Sequence, residues 1–353
     1  MSKSSTRRTQ KKSEENRRWL FVAPVQGVGF EDGVIDEFEI LRVTLIHREK
    51  LLRSTKRFPV QYHHRDKFDP RPRALEGFES ANVYALLWMT GVPDEIRQDC
   101  LKITSEELAI FSIFRMAHKR RHAPLISLAG EHPQASTSHA FLDTTERSSQ
   151  RLGALIKPRI DIAFRREAMK SLGFRLLKKL IHILRKQTGA KPGWRDDLRR
   201  GAILIGRSYN ASDVTTAFLF QMIALETLLT RQGDTYSTDL PERIEAFLGW
   251  VGLWKTAKYG ERVSEVYKKR CAIVHSGKID CVTVEDLLFV DDIMVNLLWN
   301  ILSHPKLFRS KEDVIEFGRK VEAERILGIK PRVRPKSLQY ISRKYTEQDK
   351  VEI

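Results

Sequence analysis

Apolar residues recur at helical spacing through the second half of the chain, from about residue 195 onward. Repeats at three and four residues are typical of helices that bury one face. Start signals occur at Asp213, at Thr238-Asp239 with Pro241, and at Thr283, and Gly277 is a stop signal. The pattern predicts a bundle of helices at about 195–208, 212–231, 240–253, 258–275, 283–303 and 311–327.

The first half of the chain mixes strand and helix patterns. Residues 38–46 and 82–89 are apolar runs followed by turn signals and predict strands, whereas Pro93–His118 has helical periodicity. The Ser-, Thr- and His-rich stretch 130–150 predicts a loop, and 163–186 predicts one long helix with an apolar face and a basic face. The expected fold class is an α+β N-terminal domain followed by an all-α helical-bundle C-terminal domain.

Breaks in composition divide the chain into four parts. The polar, basic residues 1–18 predict a disordered arm. A mixed α/β domain with a sensor or regulatory role is expected at 19–190, and it ends at the breaker Gly189-Ala190-Lys191-Pro192-Gly193. The helical domain is expected at 191–330 and a basic C-terminal tail at 331–353.

The uneven distribution of charge indicates a polyanionic partner. The chain of 353 residues has a formal net charge of +17, and residues 151–200 hold fifteen Lys and Arg against four Asp and Glu. Residues 205–327 are nearly balanced, with sixteen against eighteen. We therefore expect RNA contacts from a basic set consisting of Arg165, Arg166, Lys170, Lys178 and Lys179. The alternative is a solvated basic surface.

Three cysteines without a paired spacing favour a reducing, cytoplasmic environment. No apolar run approaches the roughly 18 residues of a membrane span. We found no phosphate-binding loop, nucleophile elbow or metal-ligand cluster, and we expect neither a cofactor nor a metal. His63-His64 with Asp66 lacks a defined third ligand and is interpreted as surface loop.

Pairs of Arg and His separated by four to six residues are the candidate chemistry, but spacing alone does not select among them. Six such pairs occur: Arg42/His47, Arg57/His63, Arg57/His64, Arg115/His122, Arg175/His182 and Arg270/His275. Context selects the last pair. Arg270 falls on a helical stripe that predicts burial, formed by Val263, Val266, Tyr267, Arg270, Cys271 and Val274. A buried arginine needs a partner, and Glu226, alone in an apolar stretch, is the candidate.

The pair of Arg270 and His275 suits a reaction in which the 2′-hydroxyl of the RNA attacks the adjacent phosphate. Histidine changes protonation near neutral pH and can exchange protons with ribose and phosphate oxygens. A guanidinium can stabilise the charge that develops on the phosphorane. His275 closes the predicted helix just before Ser276-Gly277. A structural ion pair at Arg270 and a capping role for His275 are the alternatives that the residues alone leave open.

The strings Ala224–Leu229 and Val266–Gly277 resemble the HEPN superfamily, and the ApeA-like branch in particular. The resemblance covers roughly residues 195–325, with a weaker likeness at 84–120. It implies a dimeric helical domain with metal-independent endoribonuclease activity and a role in bacterial abortive defence against phage. Arg270 and His275 match the catalytic positions, and Glu226, Tyr267 and Cys271 match supporting positions. In many active members the residue after the arginine is polar, and here it is Cys271.

Three functions follow from these observations. The first is an endoribonuclease that acts as a homodimer after a trigger, which would come from phage. The second is a catalytically silent RNA-binding or antitoxin-like module with the same fold. The third is a sensor whose N-terminal domain recognises a phage component.

Overall fold

The chain divides into two compact units. The computed structural model describes residues 17–55, 61–62, 81–117, 126–128, 139–143, 148–152, 162–256, 258–330, 332–351 and 353. One unit comprises residues 1–108 and 124–169, and the other comprises 109–123 and 170–353. The division thus falls near residue 170 instead of the predicted 190, and a short segment around residue 115 belongs to the second unit. Of the predicted arm, only Arg17 and Arg18 are described, and Arg18 begins a strand.

The first unit is built on an antiparallel sheet. Its strands are β1 (Arg18–Gln26), β2 (Val28–Phe30), β3 (Glu37–Glu39), β4 (Val43–His47), β5 (Gln61–Tyr62), β6 (Val83–Thr90), β7 (Ser127–Leu128), β8 (His139–Asp143), β9 (Ser148–Leu152) and β10 (Ile162–Phe164). The main sheet has the order β3-β4-β6-β1-β8-β9-β5, with β7 also paired to β1. All pairs in it are antiparallel except β5 with β9, and β10 pairs in parallel with β2 in a small second sheet.

The single strand predicted at 38–46 is wrong, because the run folds back on itself. β3 and β4 form a hairpin in which Phe38 lies opposite Leu45. The turn is organised by Glu107, a buried carboxylate that accepts backbone hydrogen bonds from Leu41, Arg42 and Val43 at 2.9–3.1 Å. A carboxylate from a distant helix therefore supplies the turn that the local sequence does not signal.

The loop predicted at 130–150 is also wrong where the structure describes it. Within this stretch β8 pairs with β1 and with β9. Polar composition concealed a short apolar run, Ala140-Phe141-Leu142, that is fully buried. Phe141 packs edge-on against Phe21 and Trp19, with ring centroids 5.4 and 6.4 Å apart. Tertiary burial thus outweighs the local turn preference of Ser and Thr.

Helices form most of the second unit. The α-helices of the chain are α1 (Arg48–Thr55), α2 (Pro93–Phe111), α3 (Arg166–Lys170), α4 (Leu172–Leu184), α5 (Pro192–Tyr209), α6 (Val214–Leu229), α7 (Tyr236–Leu248), α8 (Gly252–Thr256), α9 (Tyr259–Ser276), α10 (Val284–Ser303), α11 (Lys311–Ile326) and α12 (Glu347–Val351). The six predicted helices of the bundle are confirmed as α5, α6, α7, α9, α10 and α11. Within the described parts of the chain, no helix is long and apolar enough to cross a membrane.

Predicted start and stop signals act at most helix ends. Asp213 accepts a hydrogen bond from the Thr216 amide, and Thr283 forms a capping box with Asp286. Gly277 ends α9 in the left-handed conformation, at φ +64°. The predicted start of α7 at residue 240 is wrong, because that helix begins at Tyr236. There Asp239 accepts from the backbone amide of Thr235, so the aspartate caps the helix from inside its first turn.

The long helix predicted at 163–186 is interrupted twice. Residues 162–164 form β10, which pairs with β2, and Phe164 packs against Phe30 with centroids 5.9 Å apart. Ser171 then separates α3 from α4, because its extended backbone and its hydroxyl cap α4 by accepting from the Phe174 amide. The periodicity of the apolar residues continues across both breaks, which explains the error.

The predicted basic tail is packed against α10. Asn296 exchanges two hydrogen bonds with the backbone of Ile341, and Asn300 exchanges two with the backbone of Gln339, all at 2.6–3.0 Å. Arg343 pairs with Asp292 at 2.8 Å. Both asparagines are fully buried. We call residues 332–346 the C-terminal strap.

Candidate functional site

The candidate site is built on α9 and on the facing part of α6. Val263, Val266 and Ile273 are the buried residues of α9 and turn one side of the helix to the bundle. Glu226 lies near the end of α6, where every neighbouring apolar position except Ile223 is buried. The helix α9 ends at Ser276, and Gly277 supplies the positive φ that closes it.

Arg270 and Glu226 form an ion pair, as the sequence predicted. The Arg270 Nη2 donates to Glu226 Oε2 at 2.8 Å. The Arg270 side chain is 18% exposed and that of Glu226 is 10% exposed. The pair therefore lies at the rim of the bundle, where it is shielded from most of the solvent but not sealed from it.

This pair leaves polar atoms unsatisfied. Glu226 Oε1 and Arg270 Nε are both buried and have no hydrogen-bond partner within the described residues. Burial raises the pKa of Glu226 above its ordinary value, and the charge and hydrogen bond of Arg270 offset only part of that effect. The charged form of the carboxylate therefore carries a desolvation cost that Arg270 does not fully offset.

Tyr267 and Cys271 border the pair on α9. Burial raises the pKa of Tyr267 to about 12, and the neighbouring Cys271 side chain and the charge of Glu226 add to this effect. The phenol is therefore neutral throughout the physiological range. Cys271 lies four residues after Tyr267, so the two side chains are neighbours on the surface of α9.

His275 lies in the last turn of α9 and is exposed. It lies five positions after Arg270, which places the two side chains about 140° apart around the helix. Within the described part of the chain, His275 contacts neither Arg270 nor Glu226. One copy of the helix thus presents both groups without bringing them together.

The predicted buried stripe on α9 is correct at only two of its six positions. Val263 and Val266 are buried, but Tyr267, Arg270 and Cys271 are half-buried and Val274 is 52% exposed. Ile273 takes the buried place expected for Val274. The face of α9 that meets the bundle is rotated away from the predicted stripe, so the stripe lies at the edge of the packed surface.

Sequence reasoning missed a cluster of charged residues that positions α9. Asp286, fully buried at the start of α10, accepts from Arg262 at 2.6 Å and from Lys269 at 2.8 Å. Burial opposes ionisation, yet the hydrogen bonds from Lys269 and Thr283 and the charge of Arg262 lower the pKa of Asp286. The Thr283 capping box was the available signal, because it marks Asp286 as a functional helix-start residue.

The predicted RNA-binding residues are distributed over both units. Arg165 and Arg166 belong to the first unit, whereas Lys170, Lys178 and Lys179 belong to the second. Lys170 and Lys178 are exposed. Lys179 is half-buried and lies over the Trp299 ring, 5.3 Å from its centroid. Lys178 also lies over a ring, that of Phe174, with 5.0 Å to the centroid, but it is exposed. In the second unit, Lys170 and Lys178 are therefore the candidates for open phosphate contacts.

Comparisons with protein-family models, with curated proteins and with solved structures find no significant match.

Proposed function

We propose that the chain is a metal-independent endoribonuclease of the HEPN type in which Arg270 and His275 carry the reaction. The observation that supports this best is the placement of Arg270. Glu226 holds one terminal nitrogen of the guanidinium, so the side chain is fixed at the rim of the bundle. His275 lies about one and a half helical turns further along α9 and is exposed, so a substrate could exchange protons with it.

In the proposed reaction the substrate supplies its own nucleophile. A base takes the proton of the ribose 2′-hydroxyl, and the new bond forms between that oxygen and the adjacent phosphorus. The bond from phosphorus to the 5′-oxygen then breaks, and an acid gives that oxygen a proton. The products carry a 2′,3′-cyclic phosphate and a 5′-hydroxyl. Arg270 would stabilise the extra negative charge of the phosphorane.

A homodimer supplies the second proton-transfer group. A single chain offers one His275, whereas the reaction needs an acid and a base. Val274 precedes His275 and Ile279 follows it by four residues, and the two are 52% and 59% exposed. This end of α9 is therefore open to a second chain. A two-fold arrangement of α9 helices would cover them and bring two imidazoles and two guanidiniums to one phosphate.

The resemblance to the ApeA-like branch supports a cellular role in abortive defence against phage, with a phage-derived trigger acting through the first unit. A second candidate, a silent RNA-binding module, is favoured by the engagement of Arg270 with Glu226. That contact equally suits a structural ion pair. The two functions differ in one outcome, because a silent module binds RNA without cutting it.

Variants of the full-length chain test the proposal with total RNA as substrate. His275→Ala is expected to abolish cleavage, and Arg270→Lys, which keeps a donor for Glu226, is expected to reduce it by about a hundredfold or more. His182→Ala is the matched control, since His182 is also an exposed histidine in the last turn of a helix. Full cleavage by folded His275→Ala protein, or binding without cleavage by the parent chain, would overturn the proposal.

A further inference from the structure

Two tyrosines stand together beside the Arg270 ion pair. Tyr267 lies three residues before Arg270 on α9, so the two side chains are neighbours on the helix surface. Tyr236 is the first residue of α7, and its ring meets that of Tyr267 at 68°, with centroids 6.5 Å apart. Both residues are half-buried. Each ring therefore keeps part of its surface open to a ligand.

Polar contacts fix the elements that carry the two tyrosines. Three residues after Tyr267, the bond between Arg270 and Glu226 fixes α9 against α6. The turn that carries Tyr236 is fastened by Asp234, whose carboxylate accepts from Arg243 at 2.5 Å and from the Arg231 amide at 2.8 Å. These hydrogen bonds lower the pKa of Asp234 to about 2, with that from Arg243 contributing most. A preorganised aromatic pair loses little entropy when it receives a flat ligand.

Two guanidinium groups stand near the tyrosines. Glu226 binds Arg270 Nη2 at 2.8 Å, so the Arg270 side chain keeps a fixed place three residues along α9 from Tyr267. Five residues before Tyr236, the side chain of Arg231 is 46% exposed, and its contact with Asp234 is long, at 3.5 Å. Guanidinium groups bind phosphate, so both suit the backbone of a nucleotide whose base stacks on the tyrosines.

We propose that Tyr236 and Tyr267 form a stacking site for one unpaired nucleobase beside the Arg270–Glu226 ion pair. The proposal rests on the ribonuclease function and specifies its substrate class, single-stranded RNA. Aromatic side chains recognise RNA by stacking on bases that are not paired. A base inside a duplex is stacked on its neighbours and offers no free face. The site would therefore direct cleavage to loops and single strands.

Binding to protein that does not cleave tests the stacking site separately from catalysis. His275→Ala protein is titrated with a single-stranded RNA oligonucleotide that contains 2-aminopurine, and with the duplex of the same sequence. Adding Tyr236→Leu is expected to weaken single-strand binding about tenfold or more and to diminish the fluorescence change on binding, while duplex affinity stays the same. If Tyr236→Phe is added instead, which keeps the ring, the single-strand affinity and the fluorescence change are expected to stay close to those of the His275→Ala protein.

Trp250→Leu is the matched control, because Trp250 is 45% exposed and its indole donates to Phe247, at the opposite end of α7 from Tyr236. Its removal should leave both affinities unchanged. Single-strand binding that survives Tyr236→Leu, or an equal loss of single-strand and duplex binding, would overturn the stacking site. Tyrosine-dependent binding by a parent chain that cleaves nothing would instead overturn the ribonuclease function and leave the stacking site standing.

Discussion

At the scale of single residues, the free-energy cost of keeping Glu226 charged indicates whether its ion pair with Arg270 serves function or stability. Its raised pKa means that ionising it in the folded state costs more than in the unfolded chain. The stabilising contribution of such a carboxyl group is complete below its unfolded pKa and is lost as the pH rises through the folded value. The charge of Glu226 therefore lowers the stability of the fold, which is typical of a residue that is kept for function and not for stability.

Glu226→Gln tests that interpretation through stability. The amide keeps an acceptor for Arg270 and removes the charge, so the variant should gain free energy of unfolding relative to the parent as the pH rises from about 4 to 7. Arg270→Ala should lose roughly 1–3 kcal/mol at neutral pH, because it leaves the carboxylate without its partner. Urea unfolding at several pH values measures both. A Glu226→Gln variant that loses stability relative to the parent as the pH rises would contradict the assignment.

At the scale of elements, the C-terminal strap is held mainly by backbone recognition. Asn296 and Asn300 stand one helical turn apart on α10, about 6 Å along its axis. Gln339 and Ile341 are two residues apart, and two residues of extended chain span roughly 6.7 Å. The match of these repeats lets both side-chain amides bind the backbone at once. Among the strap residues whose burial is described, only Leu338 is buried and apolar.

Asn296→Ala should therefore loosen the strap. The change leaves the amide and carbonyl groups of Ile341 without their partner, at a cost of about 1–3 kcal/mol. We expect faster proteolysis within residues 332–346 and a lower melting temperature. Ser342→Ala is the control, because Ser342 follows Ile341 in the strap but is exposed, and that variant should lose much less. Equal protection of the strap in parent and Asn296→Ala protein would refute its dependence on the asparagine.

The exposed basic residues of the second unit make a separate prediction about RNA affinity. Neutralising Lys170 and Lys178 together by glutamine should flatten the dependence of RNA binding on salt concentration, because fewer counterions are released. The slope of log affinity against log salt should fall by roughly 1 to 2. The control is Lys320→Gln, since Lys320 is exposed but sits opposite Glu316 at 3.5 Å. An unchanged slope would mean that Lys170 and Lys178 are only solvated.

The sequence alone predicted the structure correctly where local signals and burial favour the same conformation. Helical periodicity and capping residues located α5, α6, α9, α10 and α11 closely, and isolated charges on apolar helices identified the pairing of Arg270 with Glu226. It failed where distant groups decide the structure. The turn between β3 and β4 needs the carboxylate of Glu107, and β8 needs the aromatic cluster around Phe141. The place of Tyr236 beside Tyr267 likewise depends on the packing of α7 on α9, which no local pattern encodes.

At the scale of the whole molecule, the proposed site is shared between two chains. If each phosphate needs groups from both copies of α9, subunits that carry His275→Ala should silence their partners. Mixing them with parent chains under exchange should lower activity below the fraction of parent subunits present. Sizing of the same mixtures establishes that dimers form. Activity that falls only in proportion to the parent fraction, or a fully active monomer, would rule out a shared site.

The central claim is that the substrate's own 2′-hydroxyl attacks the phosphate at a site built from Arg270 and His275. The most direct measurement compares two oligonucleotides, one all-RNA and one with a single 2′-deoxynucleotide on the 5′ side of the mapped cut, both in excess EDTA. We predict that the RNA is cut to a 2′,3′-cyclic phosphate and a 5′-hydroxyl, and that the deoxy position stays intact. Cleavage of the deoxy substrate at that position, or loss of all cleavage on adding EDTA, would contradict the account.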